Sequence, residues 1–516
     1  MENFNLNQED FTFVQLDEKI HDTKFKTKPI GYLRDAWNRF KKNKASVVAA
    51  IVILIIVLYG LFYPFCTDKK LDESNAEYSY MRPRNMLLEE YGIWDGTYDK
   101  DGTIASYAHF YGIGVGSLYR PDNTSTIFKL EDALGVEYNP VKKINKIYYD
   151  DEDRQYINFE VNQYYELGFI FDIVSKAEYE KILAWQEETG IQMLYPLIDT
   201  SSNYIQYSSK NGANYWYKMN NKGYPLDEKG KAIKEIEDLD ALIPNYLTDK
   251  DGNVLYTTNS GTDSYNVRLL RYARYLYQYG EEPGYILGSD GQGYDIAIRL
   301  AYGIRLSLLL AVCVSVINLV IGAIYGAIEG YYGGTVDIIM ERISDILANV
   351  PTMVVISLFN IYLVETNKVS PAVSFVLAFI ATGWLGTAYR VRTQFYRFKG
   401  QEYVLAARTL GAKDFRLMFK HIFPNSLGTI ITSSILVIPG VIFSETSLSY
   451  LGIIDLNGKD ASSIGTMLAN GQACMKDYPH VIIWPAIIIA LLMLSFNLFG
   501  NGLRDAFNPS LRGVDD

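Results

Sequence analysis

Six separate blocks of apolar residues constrain the fold of this chain more than any other feature. They cover residues 45–65, 300–324, 348–364, 370–388, 427–448 and 481–500 of 516. Each block is close to the roughly 20 residues with which a helix crosses the hydrocarbon core of a bilayer. The pattern predicts six transmembrane helices, so we expect an α-helical polytopic membrane protein.

Charge is divided unevenly along the chain. The net charge of −11 and the mean hydropathy of −0.01 would also suit a soluble protein. Residues 67–298, however, contain 38 acidic and 23 basic side chains, a net charge of −15, and the remainder has a net charge of +4. This acidity argues against nucleic acid as a partner.

Basic residues also predict how the chain crosses the membrane. They concentrate in residues 24–44, in residues 390–420 and after Arg504. The positive-inside rule then places both termini and the 390–425 loop in the cytoplasm, and residues 67–298 outside the cell. Arg299 and Arg305 run against this rule, and we interpret them as part of an interfacial surface helix. The first 44 residues are polar, so the first apolar block is expected to stay as an anchor.

These signals divide the chain into five parts. We predict a cytoplasmic tail and interfacial helix in 1–44, the first transmembrane helix in 45–66, an extracellular inserted domain in 67–284, a helical core in 285–503 and a cytoplasmic tail in 504–516. Residues 1–28 are expected to be disordered. Apolar residues among basic ones from Tyr32 to Phe40 favour an interfacial helix, with a flexible basic tail as the alternative.

The inserted segment is long enough to bury a core of its own, and we predict an α+β fold for it. Aromatic and β-branched runs at 144–149 and 253–258 predict strands, and periodic patterns at 176–188 and 266–279 predict helices. Glycine dipeptides, among them Asp101-Gly102 and Asp251-Gly252, predict hairpin turns. Two Asp-Lys-Asp-Gly runs could suggest calcium loops, but they lack the distal glutamate, so turns are the preferred interpretation.

The segment from Glu402 to Asn425 carries the most specific pattern in the chain. Ala406 and Ala407 precede Gly411, which suits a helix end, and an amphipathic stretch follows until Pro424 stops it. Two short helices around a tight glycine turn are therefore expected. A membrane protein has little use for such a segment unless it docks on another protein.

This segment resembles the EAA loop of ABC importer permeases, the coupling segment that docks in a groove of a cytoplasmic ATPase. The Ala-Ala-x-x-x-Gly core and the later Ile-x-Pro are kept, whereas Leu405 stands for the family's glutamate and Phe423 for its leucine. By this resemblance Gly411 sets the turn that transmits force. The expected coupling residues are Ala406, Ala407, Gly411, Lys413, Arg416, Ile422 and Pro424.

Further matches are similar to the dipeptide, oligopeptide and nickel branch, and to the second of its two paired permease subunits. They lie at 287–295, where Ser289 and Tyr294 depart from the family's threonine and arginine, at 330–334, at 444–452 and at 502–512. The resemblance covers about residues 31–65 and 285–512. The segment between them is extra.

The resemblance implies the type I ABC importer permease fold and a bacterial plasma-membrane subunit that imports peptides. Its expected partners are a second homologous permease, two cytoplasmic ABC ATPases and an extracellular solute-binding lipoprotein. Nickel or another small solute is the alternative cargo. A membrane-anchored extracellular binding or adhesion module is the alternative class, although it needs one anchor rather than six spans.

No catalytic site is predicted. The sequence has no Gly-x-x-x-x-Gly-Lys-Ser/Thr phosphate loop, so ATP hydrolysis is expected on separate subunits. The four histidines lack metal-ligand spacing, and no cofactor is expected. Glu445 is the one carboxylate inside a predicted span, too little for an intramembrane enzyme.

Several residues within the spans remain as pathway or packing candidates. Gly322 and Gly326 recur at four-residue spacing and predict close helix packing, within this subunit or against a partner. Pro439 predicts a kink in the fifth span. Glu445 either lines a pathway or lies at the interface, and Asn318 either bonds another helix or faces a wet cavity.

The three cysteines give no disulfide framework. The predicted topology places Cys66 and Cys474 near the outer face, as two free thiols or as one disulfide. Two free thiols are preferred because the insert has no cysteines of its own.

Overall fold

The computed structural model describes residues 32–119, 138–201, 211–239, 242–458 and 461–507. Residues 1–28 and the motif residues 508–512 lie outside these ranges. Helix α1 covers Tyr32–Lys42 and α2 covers Lys44–Phe62, with Asn43 capping α2 through the amide of Ser46. Ala36 and Phe40 of α1 are buried, and the Phe40 ring meets Phe499 edge-on at 5.5 Å. The predicted helix at 32–40 is therefore present and packs on a later helix.

Short helices and antiparallel strands follow α2. They are β1 Thr97–Thr103, α3 Ile104–Ser117, β2 Val141–Tyr149, β3 Gln155–Asn162, α4 Gln163–Glu166, β4 Phe169–Ser175, α5 Lys176–Thr189, β5 Leu194–Tyr195, β6 Thr257–Asn259, β7 Ser264–Leu270 and α6 Arg271–Tyr279. We call residues 67–295 the insert. One sheet has the order β1-β3-β2; in the other, β7 pairs with β4, β5 and β6.

Alternating burial builds two cores in the insert. Ile157, Phe159 and Val161 of β3 are fully buried beneath α3, because alternate side chains of a strand point to one face. A second core gathers Phe169, Tyr195 and other aromatic residues around β4 and β7. Much of the tyrosine content of the chain is thus explained by packing.

Some local predictions for the insert are wrong. Asp101-Gly102 lies inside β1, where it pairs with β3. Ser106 of α3 crowds the Gly102 site, which explains why the strand has a residue without a side chain there. The predicted helix at 266–279 begins only at Arg271, since pairing with β4 holds residues 264–270 in a strand. Residues 253–258 form a strand only at their end. Gly252 does lie in a turn, at φ +87°.

The helical core begins with α7, Ile296–Tyr332, and continues through the remaining helices. They are α8 Gly334–Ala348, α9 Thr352–Phe359, α10 Pro371–Thr382, α11 Leu385–Phe398, α12 Glu402–Thr409, α13 Asp414–Arg416, α14 Phe423–Ile435, α15 Val437–Tyr450, α16 Ile464–Ala473 and α17 His480–Phe507. Helix α7 packs against α2, α11 and α15. It is therefore the central helix of the bundle.

Within the described residues, five helices are long and apolar enough to cross a membrane. A sixth span exists only if α8 and α9 count together, and they meet at an angle of 71°. Pro351 lies at this bend, and the residue before a proline disfavours helical geometry. The predicted third span, residues 348–364, is thus the second half of a bent pair rather than a straight helix.

Arg299 and Arg305 belong to α7, so the predicted interfacial surface helix is wrong. Arg299 is buried and forms an ion pair with Asp290. The Arg305 guanidinium donates to the carbonyl oxygens of Gly60 and Leu61, which lie at the end of α2 and have no partner within that helix. Both arginines are held by specific acceptors, which explains their place at the end of a membrane helix.

Candidate functional site

The segment from Glu402 to Asn425 forms a turn between two helices, as predicted around Gly411. Helix α12 ends at Thr409, and Gly411 follows at φ +84° with open space around its Cα. Its amide donates to the carbonyl of Arg408. This backbone conformation is one that residues with a side chain rarely adopt, so the turn requires glycine.

The second helix of this segment is not short, because Pro424 does not end it. Helix α13 passes through a π-helical turn, Leu417–Ile422, directly into α14. The wider turn places Pro424 in the first positions of α14, where the missing N–H costs little. A single helical path therefore runs from Asp414 to Ile435, and with α15 to Tyr450.

Within this segment some predicted coupling residues are buried in the bundle and others are exposed. Val404, Leu417 and Ile422 are fully buried against Val391 and Phe395 of α11. The prediction that Ile422 is a docking contact is therefore wrong, since it packs inside its own subunit. Ala407 is half-buried; the other predicted contacts are exposed, namely Ala406, Lys413, Arg416 and Pro424.

Two exposed apolar side chains flank the turn and were missed by the sequence argument. Leu410 is 88% exposed and Phe415 is 71% exposed. An apolar residue on each side of Gly411 in an otherwise charged segment was the signal that could have found them. We call Leu410, Phe415 and the other exposed residues between Ala406 and Arg416 the coupling surface.

The coupling surface is fixed to the end of α7. The Tyr331 hydroxyl donates to Asp414 Oδ1 at 2.6 Å, and Arg408 Nη2 donates to the same hydroxyl at 3.4 Å. Nearby, Lys399 Nζ donates to the carbonyl of Gly330 at 3.0 Å. Movement of the coupling surface is thus linked directly to α7.

Arg392 joins three helices at the same end of the bundle. From α11 it makes a bidentate pair with Asp337 of α8, at 2.6 and 2.9 Å. Its Nη1 lies 2.8 Å from Glu341 and its Nε lies 3.5 Å from Glu329 of α7. One guanidinium therefore contacts three carboxylates, and this role was also missed from the sequence.

The glycines of α7 pack within this subunit, which decides between the two predicted interpretations. A methyl group on Gly322 would lie 2.7 Å from Thr387 Cβ, and one on Gly330 would lie 2.7 Å from the Arg392 carbonyl. On Gly326 it would overlap the Ala388 carbonyl. The stripe lets the backbones of α7 and α11 approach closely.

Glu445 lies in a closed polar cluster. It is 1% exposed and accepts hydrogen bonds from Ser307 Oγ at 2.7 Å and Ser463 Oγ at 2.9 Å. The hydroxyls of Thr446 and Ser449 lie at 3.4 and 3.5 Å. In this conformation Glu445 ties α15 to α7 and to the start of α16, and it lines no open path.

Asn318 and Pro439 occupy the middle of the bundle. Asn318 is buried, and its side-chain amide has no hydrogen-bond partner among the described residues. The helical path from Asp414 to Tyr450 is interrupted for one residue, Leu436, between α14 and α15. Pro439 cannot donate to the carbonyl of Ile435, so the break lies where proline predicts it.

All three cysteines are free, as the preferred interpretation expected. Cys66 is exposed, and Cys313 and Cys474 are partly buried.

A polar cleft of about 490 Å³ opens in the insert between β1, α3 and α4. The Tyr98 hydroxyl donates to Glu166 Oε2 at 2.5 Å, and burial raises the pKa of Glu166 to about 7. Burial lowers the pKa of His109, on the same cleft, to about 4. Each group is thus shifted towards its neutral form.

Comparisons with known proteins match both ends of the chain. Residues 319–513 match the model of a binding-protein-dependent transport system inner membrane component, and residues 31–83 match the N-terminal TM domain of oligopeptide transport permease C. The oligopeptide transport system permease protein OppC of Bacillus subtilis (strain 168) is 42% identical over 44% of this chain and 72% of that protein. The dipeptide transport system permease protein DppC of Lactococcus lactis subsp. cremoris (strain MG1363) is 38% identical over 44% of this chain and 65% of that protein.

Solved structures align with this chain only at low similarity. An inward-facing MetNI methionine ABC transporter aligns over 94% of its chain and 40% of this one, at 16% identity and a TM-score of 0.32. The sequence matches, in contrast, cover more than two thirds of the Bacillus relative. This chain therefore belongs to the oligopeptide and dipeptide permease family of binding-protein-dependent ABC importers.

Proposed function

We propose that this chain is the membrane-spanning subunit of an ATP-driven importer of peptides. The observation that carries the proposal is the coupling surface: exposed Leu410 and Phe415 flank a glycine turn whose neighbours are buried in the bundle. Exposed apolar residues on a rigid support mark a protein contact site. The expected partner there is a cytoplasmic ATPase, since this chain has no phosphate loop.

Two such ATPases would bind two permeases, this chain and a homologous one. Closure of the ATPase dimer would displace the coupling surface, and the continuous helix from Asp414 would carry that displacement into the membrane. The contacts of Tyr331 with Asp414 and Arg408 would transmit it to α7. The bundle would then alternate between inward-open and outward-open states.

Peptides are the cargo that the relatives' names support. The two cited relatives are named as oligopeptide and dipeptide permeases, which does not favour the nickel alternative. An extracellular solute-binding lipoprotein would deliver the peptide. Five or six spans, in place of one anchor, argue against the alternative adhesion module.

The proposed orientation places the coupling surface and both termini in the cytoplasm of a bacterial cell. Support comes from the basic residues at 24–44 and 390–420, against a net charge of −15 in residues 67–298. The insert would then lie outside the cell, at the mouth of the translocation path.

The test compares two glycines of the same loop. Gly411→Ala forces a side chain into a left-handed conformation, whereas Gly400→Ala introduces the same methyl group into open space at an ordinary φ. We expect Gly411→Ala to cost about 1–2 kcal/mol of turn stability and to reduce peptide uptake several-fold. Gly400→Ala should leave uptake unchanged.

A second pair of variants tests the docking partner. Leu410→Asp and Phe415→Asp should lose the ATPases on purification in mild detergent while the second permease is retained. Tyr149→Asp, on an exposed strand of the insert, is the matched control. Full retention of the ATPases in both coupling-surface variants would contradict the proposal.

A further inference from the structure

Residues 86–94 of the insert form a loop with an unusual concentration of exposed apolar side chains. Leu87 is 84% exposed, Tyr91 75%, Ile93 53%, Met86 43% and Trp94 39%. The base of the loop is closed by a backbone hydrogen bond, in which the Asn85 amide donates to the Trp94 carbonyl at 2.7 Å. We call residues 86–94 the apolar loop.

The position of the apolar loop is fixed against a membrane helix. The Trp94 ring meets the Trp484 ring edge-on, with centroids 5.6 Å apart. Trp484 lies in the second turn of α17, a candidate membrane span. The loop therefore lies beside the N-terminal turns of a candidate membrane span.

Backbone strain shows that this placement is specific. Trp94 and Tyr80 have φ angles of 52° and 58°, in the left-handed region that residues with side chains avoid. Both strained residues point at the start of α17, because the Tyr80 ring stacks on Tyr478 with centroids 4.3 Å apart. Strain of this kind persists only where surrounding contacts impose it.

Exposed apolar side chains continue from the apolar loop along α17. Ile483 and Ile487 of α17 are 44% and 43% exposed, and Leu491 and Leu494 further along the helix are exposed as well. Tyrosine and tryptophan are enriched where membrane proteins meet the headgroups, because their rings are amphipathic. The loop thus has the composition, as well as the position, of an interfacial anchor.

We propose that the apolar loop inserts into the headgroup and acyl-chain boundary of the bilayer leaflet on the side of the insert. Insertion is apolar rather than electrostatic. Glu90 is exposed; Arg84, which precedes the loop in sequence, is fully buried and paired with Glu89, and Lys142 beside the loop is paired with Asp95. No basic residue lies between 86 and 94, so the loop offers nothing that would select anionic lipid. The proposal requires only that α17 spans a membrane, and it does not depend on the cargo.

The experiment measures the depth of single residues in the full chain. Cys66, Cys313 and Cys474 are replaced by serine, and Leu87→Cys carries a nitroxide spin label in phosphatidylcholine proteoliposomes. Collision rates are measured with oxygen, which concentrates in the bilayer, and with a water-soluble nickel chelate. Ile173→Cys, 62% exposed on β4, is the matched control.

We expect an oxygen-to-nickel collision ratio several-fold higher at Leu87 than at Ile173, and unchanged when anionic lipid is added. Tyr91→Cys gives an independent position on the same loop. Equal ratios at Leu87 and Ile173 would overturn the proposal. So would protection of Leu87 and Tyr91 from both reagents, which would mean that a protein partner covers the loop.

Discussion

Gly326 illustrates how one missing side chain sets the distance between two membrane helices. A methyl group there would overlap the backbone carbonyl of Ala388, which cannot move without moving α11. Overpacking of this kind usually costs about 1–3 kcal/mol.

We predict that Gly326→Ala lowers the unfolding temperature of the detergent-solubilised protein by several degrees. Gly440→Ala is the control, because its methyl group would meet nothing within 4 Å and alanine favours the helix. Unfolding is followed by intrinsic fluorescence. An unchanged transition in Gly326→Ala would show that α11 is free to shift.

Glu166 and His109 are single residues whose pKa values move in opposite directions. The folded insert holds Glu166 protonated between about pH 4.5 and 7, so its contribution to stability falls as pH rises through that range. His109 stays neutral in the fold between about 4 and 6.5, so its contribution falls as pH drops through that range. From pH 4.5 to 6.5 the two slopes, each about 1.4 kcal/mol per pH unit, oppose one another.

We predict that insert stability changes little with pH over this window in the native chain. In Glu166→Gln only the His109 contribution remains, so the stability of the insert should rise with pH. In His109→Gln only the Glu166 contribution remains, so the stability should fall as pH rises. Hydrogen exchange of the peptide covering β3, corrected for the intrinsic rate, measures both. If stability changed with pH in the same direction in both variants, the opposite pKa shifts of Glu166 and His109 would be contradicted.

Residue-level prediction from the sequence succeeded where local geometry decides and failed where tertiary packing decides. The Gly411 turn was found because a positive φ leaves few other residues able to occupy it. The burial of Ile422 was not found, because it depends on Val391 and Phe395, which lie on a different helix. The pairing of Arg392 with Asp337 was not predicted for the same reason, since the two residues are far apart in sequence and lie on different helices.

At the scale of elements, the break between α14 and α15 offers the clearest test. We predict that Pro439→Ala restores a donor to the Ile435 carbonyl, closes the interruption at Leu436 and lowers peptide uptake several-fold, with ATPase binding intact. Pro485→Ala in α17 is the matched control, since Pro485 lies inside a helix that continues through it. Normal uptake in Pro439→Ala would show that the break has no role in transport.

Element boundaries were predicted less well than the elements themselves. Pro424 was expected to end a helix, but the π-helical turn before it lets the helix continue. Similarly, the apolar block at 348–364 gave no warning that Pro351 divides a pair bent by 71°. Hydropathy measures how much apolar surface a segment has, and it carries no information about the direction of its axis.

At the scale of the whole molecule, the two ends of the insert meet at one place. Lys69 pairs with Asp295 at 3.3 Å, and Lys70 and Glu281 line the same small cleft of about 50 Å³. Residues 71–281 can therefore be replaced by a short flexible linker without separating α2 from α7.

We predict that this deletion leaves an assembled complex that binds its ATPases but imports peptides poorly, because we propose that the insert receives the solute-binding protein. Uptake is measured at limiting peptide, and assembly by co-purification. Normal uptake at limiting peptide would contradict a receiving role for the insert.

Whole-molecule organisation could be predicted because apolar blocks and charge act over long stretches of chain. The membrane helices and the place of the extra segment in the chain, between α2 and α7, follow from them. The sheet order β1-β3-β2 and the contacts of Tyr80 and Trp94 with α17 could not, since they depend on pairings between distant residues.

The helix that begins at Asp414 has a mechanical consequence. From Asp414 to Ile435 it is roughly 33 Å long, and α15 beyond the break is roughly 21 Å long. The longer part begins at the coupling surface, the proposed ATPase contact, and the shorter part carries Glu445. Under the proposed function, a tilt about Leu436 would move the coupling surface farther than it moves the residues around Glu445.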